Sequence, residues 1–341
     1  MPEIKRFFII ADIKKNPMRM FSDQIPMLAK GMIRLGHDVR FFSYCDTLSQ
    51  LSPFKSKTIS AILYKTRVDK LLAKQIQNYQ PDIVHTSFPD TFDAETIRHI
   101  KEVSPDTVII GFDGDPWPKR QKNRIETAKE LDILTATNDG QWLQDYRDAG
   151  VPLCVFMPNF CDPDIEYRYN VQEQWKTDIL WIGKLGHHAG TSETFREELV
   201  KELSTRPNCT LYGCCGRPKI GGRDFLFAIS GARIGVNVNA YGPMKFCHSD
   251  RLTRFLACGT FVLAKRFPDA DILYKDGEHL RYFDTIEEFF ELAQWYLNHE
   301  QERKRIADAG MKLIHEQFNR TKIAGYILEL VEKGIYSAPW F

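Results

Sequence analysis

No stretch of this 341-residue sequence is long and apolar enough to span a bilayer as a helix, and residues 1–15 do not read as a secretory signal. Charge of one sign is missing too. Lys and Arg number 46 against 45 Asp and Glu, a formal net charge of +1, so no global field recruits nucleic acid. The eight cysteines never fall in C-x-x-C spacing, and only Cys214 and Cys215 are adjacent. That argues against a zinc ribbon or a dithiol redox motif and fits buried, reduced thiols in a cytoplasmic setting. The polar loop after the first apolar run, at residues 12–23, lacks G-x-G-x-x-G, which sets aside the ordinary dinucleotide fingerprint. There are no low-complexity segments.

What is present is an alternation of short apolar runs with amphipathic stretches, the pattern of parallel strands joined by helices. In the first half, strands are expected at residues 7–11, 39–43, 81–85, 107–112, 133–137 and 155–157. The count restarts after a polar connection at residues 160–175, with strands expected at 178–183, 209–213, 234–240, 260–264 and 280–283. At 341 residues, two domains of ordinary size are expected, each able to bury its own core. The fold class is therefore α/β.

In doubly wound sheets, ligands sit at the carboxyl ends of the strands, where Asp12, His85, Asp113 and Asp115 all fall. The D-x-D of Asp113 and Asp115 invites a metal reading, but Asp113-Gly114-Asp115-Pro116 is also ordinary turn chemistry. Gly183 and Lys184 follow a strand and lead to a helix start, a shape that cradles phosphates. The stretch from His248 has a similar design. Ser249 is a good N-cap, Asp250 to Cys258 reads as a short helix, and Gly259 fits its C′ position. Arg254 lies one turn after Asp250, so an i,i+4 ion pair stands beside the alternative that it faces a ligand cleft. Residues 54–75 carry six Lys or Arg against one acid, Asp69. They read as a solvated basic helix face or as a surface attracting an anionic acceptor or the inner face of an anionic membrane.

The 248–310 stretch resembles the C-terminal half of GT-B glycosyltransferases, specifically the spore-maturation CgeB-like, glycosyl transferase group 1 branch. That branch carries a pattern of the form R-x-F-E-x-x-A-C-G. Arg251, Ala257, Cys258 and Gly259 match it, as do the downstream Asp276-Gly277-Glu278 and the helix-rich tail. The glutamate of the pattern is Arg254 here, and the upstream glutamate of the wider family falls at Phe246.

The resemblance implies a GT-B fold of two Rossmann-like domains facing across a cleft. Residues 1–160 would bind acceptor, 161–320 would bind donor, and 321–341 would cross back to the first domain. The implied activity is metal-independent transfer of a sugar from a nucleotide-activated donor, which is a substrate rather than a cofactor. The implied acceptor is a hydroxyl on a glycan or a lipid-linked saccharide. Gly183, Lys184, His248, Ser249, Asp250, Arg251 and Arg254 are the expected donor contacts, and Asp113, Asp115 and His85 the expected catalytic or acceptor-orienting groups. Two alternatives remain on the same layout, a non-catalytic nucleotide-sugar-binding subunit and a sugar-nucleotide epimerase.

Overall fold

The computed structural model describes residues 3–12, 24–88, 92–114, 116, 118–185 and 191–340. The apolar runs of the first half form β1 (Arg6–Ala11), β2 (Asp38–Ser43), β3 (Ile83–Thr86), β4 (Val108–Asp113), β5 (Ile133–Ala136) and β6 (Cys154–Phe156). All pair in parallel, in the order β2-β1-β3-β4-β5-β6. Between them run α1 (Gln24–Arg34), α2 (Tyr44–Leu51), α3 (Lys57–Tyr79), α4 (Ala94–Val103), α5 (Pro118–Ala128) and α6 (Gln141–Asp148).

The second sheet holds β7 (Thr177–Ile182), β8 (Cys209–Tyr212), β9 (Ala232–Asn237), β10 (Phe261–Lys265) and β11 (Arg281–Phe283), in the order β11-β10-β9-β7-β8. These strands are parallel as well. Its helices are α7 (Thr191–Ser204), α8 (Gly222–Gly231), α9 (Asp250–Ala257), α10 (Ala270–Leu273), α11 (Ile286–Asn298), α12 (Glu300–Gln317) and α13 (Arg320–Lys333). In each sheet the first strand in sequence lies between the second and the third. That placement makes its carboxyl end a topological switch point, where crossovers leave to opposite faces.

The strands were legible because parallel strands are covered on both faces and so read as unbroken apolar runs. β1 alternates its inward residues between two cores. Phe7 joins a cluster with Met27 and Leu28 of α1, whereas Phe8 and Ile10 join one with Val68, Leu72 and Ile76 of α3. Each such burial contributes roughly 1.5–3 kcal/mol.

The first of these clusters is continuous through both lobes, reaching Phe160, Phe255, Ile323, Tyr336 and Trp340. The chain crosses back at its end. Tyr336 donates its hydroxyl to the Phe156 carbonyl of β6, and the Trp340 ring stacks on Phe318 at 4.6 Å between centroids. Charge fastens the same seam. Buried Arg320 binds Asp162 and, at 2.7 Å, Asp164, while Lys30 of α1 reaches Asp162 at 2.8 Å and Asp164 at 2.6 Å.

Candidate functional site

The carboxyl end of β7 and the starts of α8 and α9 converge on a cavity of about 240 Å³. Gly183, Ser249, Asp250, Arg251 and Arg254 line it together with Gly221 and Gly222, and Ile182, Ile220, Phe225 and Leu226 supply apolar walls. Five of the seven residues expected from sequence at a donor site are thus brought together. Lys184 follows directly on the strand end with its side chain exposed.

α9 forms here because Ser249, in an extended conformation, accepts from the Arg251 N–H at 3.3 Å. Asn239 holds the turn before it, accepting from Ser249 N at 3.1 Å and donating to the Cys247 carbonyl at 2.6 Å. The helix ends where Gly259 takes φ +68°, a conformation that costs glycine little. The N-terminal N–H groups of α9 and the positive end of its dipole face the cavity rim.

Arg251 does not extend into solvent. Its guanidinium folds back to donate to the Ile182 carbonyl and, at 3.3 Å, to the Val238 carbonyl, the last acceptors of β7 and of the chain leaving β9. Gly183 leaves room for this approach, since a Cβ there would displace the tip of the Arg251 guanidinium. No carboxylate among the described residues pairs with Arg251. Its Nε is buried without an acceptor, and burial, helped by nearby Arg196, lowers its pKa to about 10.

Arg196 of α7 was not singled out from the sequence, and it completes the arrangement. It is buried, donates to the Lys184 carbonyl at 2.8 Å, and lies 5.6 Å from the centre of the Trp181 ring. Arg251 lies 5.2 Å from the same ring. Two guanidinium groups thus share one indole beneath the loop after β7, a local concentration of positive charge. The signal was present in the spacing. Arg196, Leu199, Val200 and Leu203 fall at i, i+3, i+4 and i+7, so a cation sits on the apolar stripe of its helix.

Arg254 satisfies both expectations. It lines the cavity, and its Nε lies 3.5 Å from Asp250 one turn earlier. It also meets a second carboxylate at 3.5 Å, that of Glu166, which is fully buried and accepts from the Asp162 N–H at 2.7 Å. Burial pushes the Glu166 carboxyl up, against the downward pull of Arg254. Phe246 stands where the sequence resemblance places a glutamate. It is buried in the inter-lobe core with φ +60°, its ring 4.7 Å from that of Phe156.

His248 lies behind the cavity instead of lining it. Its ring is enclosed, with Nδ1 2.9 Å from the Phe246 carbonyl and Nε2 3.0 Å from the Tyr274 hydroxyl, and it stacks on Phe267. The expected contact to a phosphate or sugar is therefore replaced by a positioning contact, because both ring nitrogens are already engaged.

In the first lobe, Asp113 ends β4 with its carboxylate buried. One oxygen takes Arg124 of α5, and the other accepts from Trp142 Nε1 at 3.1 Å and the Tyr146 hydroxyl at 2.7 Å, both on α6. Asp12 accepts from the Cys45 N–H at 3.1 Å. Asp115, Trp117, His187 and His188 lie outside the described residues. His85 is buried within β3, facing a small apolar cavity between the first sheet, α1 and α13, with Nδ1 unpartnered.

The two enclosed histidines give a pH prediction. Burial lowers both His85 and His248 to about 4, from an unfolded value near 6.5. A depressed histidine contributes its full stability above the unfolded pKa and loses it as pH falls toward the folded pKa. Each is expected to forfeit about 2 kcal/mol between pH 6.5 and 5. Urea midpoints across this window test the point. His85→Phe is expected to flatten the profile by roughly one proton's worth of slope, and an unchanged profile would show that His85 does not titrate there.

Residues 193–329, which include most of α7, β9, α9 and most of the second sheet, match the family model described as glycosyl transferase-like. The whole chain superposes on solved structures of low sequence identity. A glycosyltransferase from Rickettsia africae ESF-5 matches with a TM-score of 0.63 at 12% identity, covering 97% of this chain and 98% of that one. Anabaena HepE in complex with UDP and glucose matches with a TM-score of 0.64 at 11% identity, covering 97% of this chain and 100% of that one. Over 101 residues, 29% of this chain, there is 31% identity to one subunit of an aspartyl/glutamyl-tRNA(Asn/Gln) amidotransferase from Roseiflexus sp. (strain RS-1), and the chain spans only 20% of that protein. Residues 193–329 thus match a glycosyl transferase-like domain, and the chain shares the two-sheet α/β fold of these solved structures.

Proposed function

We propose that the protein moves a sugar from a nucleotide-activated donor to a hydroxyl acceptor on a glycan or a lipid-linked saccharide, working in the cytoplasm or at the inner face of a membrane. The observation that carries this reading is the pair Arg196 and Arg251, held on Trp181 beneath the β7 loop and beside the start of α9. Breaking the glycosidic bond of the donor leaves new negative charge on a nucleotide phosphate. Fixed cations and helix N–H groups stabilise that charge as it develops, without waiting for solvent to reorganise. This would do the work of a divalent ion. Lys184, exposed at the loop, supplies a mobile point charge to the same phosphates.

Within this reading, residues 161–320 bind donor. Gly183 and Ser249 offer backbone and hydroxyl contacts, and Asp250 is the carboxylate that accepts from donor hydroxyls, oriented by Arg254. The cavity is small against the roughly 300–1,000 Å³ of small-molecule sites. The transferred sugar would therefore lie outside it, toward residues 1–160 and the acceptor. Asp113, Asp115 and His85 are assigned to that side, Asp113 as a positioning residue because both its oxygens are already engaged. The tail at residues 321–341 clamps the lobes. Closure about the 158–162 connection would exclude water at the moment of transfer.

Titration calorimetry with UDP, GDP and ADP, each with and without EDTA, tests the reading. At least one nucleotide is expected to bind, with affinity unchanged by the chelator. If none binds, the donor assignment is lost. The alternative of a non-catalytic binding subunit draws on Arg254 and Phe246, which stand where the resemblance places glutamates. Binding of a sugar nucleotide with no turnover toward any acceptor, or toward water, would favour it.

A further inference from the structure

The 23-residue helix α3 is apolar on two sides. Its inner stripe, Val68, Leu72 and Ile76, is fully buried. Its first turns, and the turn before them, also expose large apolar side chains: Phe54 at 46%, Ile59 at 44%, Ile62 at 76% and Leu63 at 57% relative exposure. Singly exposed apolar residues are normal on a protein surface, but four within ten positions form a patch. Next to it, Lys55, Arg67, Lys70 and Lys74 make no ion pair with any described residue. The one acid of residues 54–75, Asp69, is buried and spent on Lys65 at 2.5 Å and on the Tyr44 hydroxyl.

We propose that this face of α3 docks on a bilayer containing anionic lipid, with Phe54, Ile59, Ile62 and Leu63 entering the headgroup region and Arg67, Lys70 and Lys74 meeting the lipid phosphates. An interfacial helix needs this combination of an apolar insert and flanking cations without acids. A second copy of the chain is a poor occupant. A two-fold contact would set the same cations against each other with no acid to offset them.

The topology gives the surface a direction. The Tyr79 hydroxyl donates to Asp38 at the start of β2 at 3.0 Å, which fixes the carboxyl end of α3 at the amino edge of the sheet. Ile62 lies on the order of 25 Å further along the helix, at the edge where the strands end and the cleft opens. A bilayer held there would bring a lipid-linked acceptor to the first lobe. In this respect the proposal deepens the acceptor reading and rests on it. The binding itself is measured without donor or acceptor.

The test uses the full chain and sedimentation with vesicles of phosphatidylcholine alone or of phosphatidylcholine mixed with phosphatidylglycerol. Binding is expected only to the mixed vesicles and is expected to weaken with salt. The double variants Ile62→Ser with Leu63→Ser, and Lys70→Glu with Lys74→Glu, are each expected to reduce partitioning by at least about tenfold. These positions are exposed, so thermal melts should be unchanged. Nucleotide binding, read on the same variants, should be unchanged too. Its absence in all proteins would sink the transferase reading while leaving membrane docking intact. Equal binding to neutral vesicles, no binding to either kind, or partitioning unaffected by both double variants would overturn the proposal. So would a dimer in sedimentation velocity that Ile62→Ser dissolves, since the occupant would then be a second copy.

Discussion

Arg251→Met is expected to lower the affinity for a nucleoside diphosphate by about ten- to a hundredfold, the size of a lost hydrogen bond to a charged group, while changing folding stability by no more than about 1 kcal/mol. The two effects separate because of what Arg251 touches. In the free protein its guanidinium has two strand-end carbonyls, an indole face and a second arginine, but no carboxylate among the described residues. Burying an unpaired cation is costly, and methionine removes that cost while leaving two carbonyls unpaired, so the folding terms largely offset each other. A bound diphosphate would change the balance by supplying the missing counter-charge. Adding Arg196→Met should deepen the loss, and non-additively if both guanidiniums act on one ligand. Calorimetry paired with urea unfolding reads both quantities. If the single variant lost several kcal/mol of stability yet kept its nucleotide affinity, Arg251 would be a strand clamp and nothing more.

Asp113→Ala is expected to destabilise the protein by about 3–5 kcal/mol, the usual range when one partner of a buried ion pair is removed. The substitution strands three donors together: the Arg124 guanidinium, the Trp142 indole N–H and the Tyr146 hydroxyl. These come from α5 and α6, which flank β4 and β5 at the cleft edge, so the local consequence is loss of the loop geometry there. Asp113→Asn keeps the shape and should recover part of the stability, because an amide oxygen can still accept from Tyr146 or Trp142. Nucleotide binding in the other lobe should survive in either variant below its melting temperature. A stability loss under about 1 kcal/mol for the alanine variant would contradict the buried network described above.

The strand count, the two-sheet layout and the start of α9 could be read from the chain because they rest on local signals. Buried parallel strands leave continuous apolar runs, and a serine before an acidic first turn announces a helix. α2, with the sequence YCDTLSQL, and α8, which follows a glycine-rich loop, gave weaker signals because tertiary packing supports them more than their own periodicity does. The lining of the cavity was legible where a motif carried it, as with Ser249 and Arg251. Arg196 could have been found from its place on an apolar stripe, where a cation requires an explanation. Glu166 had no comparable signal, because its partner Arg254 lies 88 residues away and only folding brings the two together.

The order of side chains along the chain was enough to determine two α/β lobes, where the strands end, and a capped helix facing the second switch point. Those features follow from burial periodicity and backbone capping, which act over a few residues. The tertiary structure alone decided which polar groups remain available for a ligand. It enclosed His248 between Phe246 and Tyr274, engaged both oxygens of Asp113, and gathered two arginines on one indole at the mouth of the second sheet. Desolvation and pairing depend on neighbours distant in sequence, and for that reason the availability of a charge cannot be read from its own position in the chain.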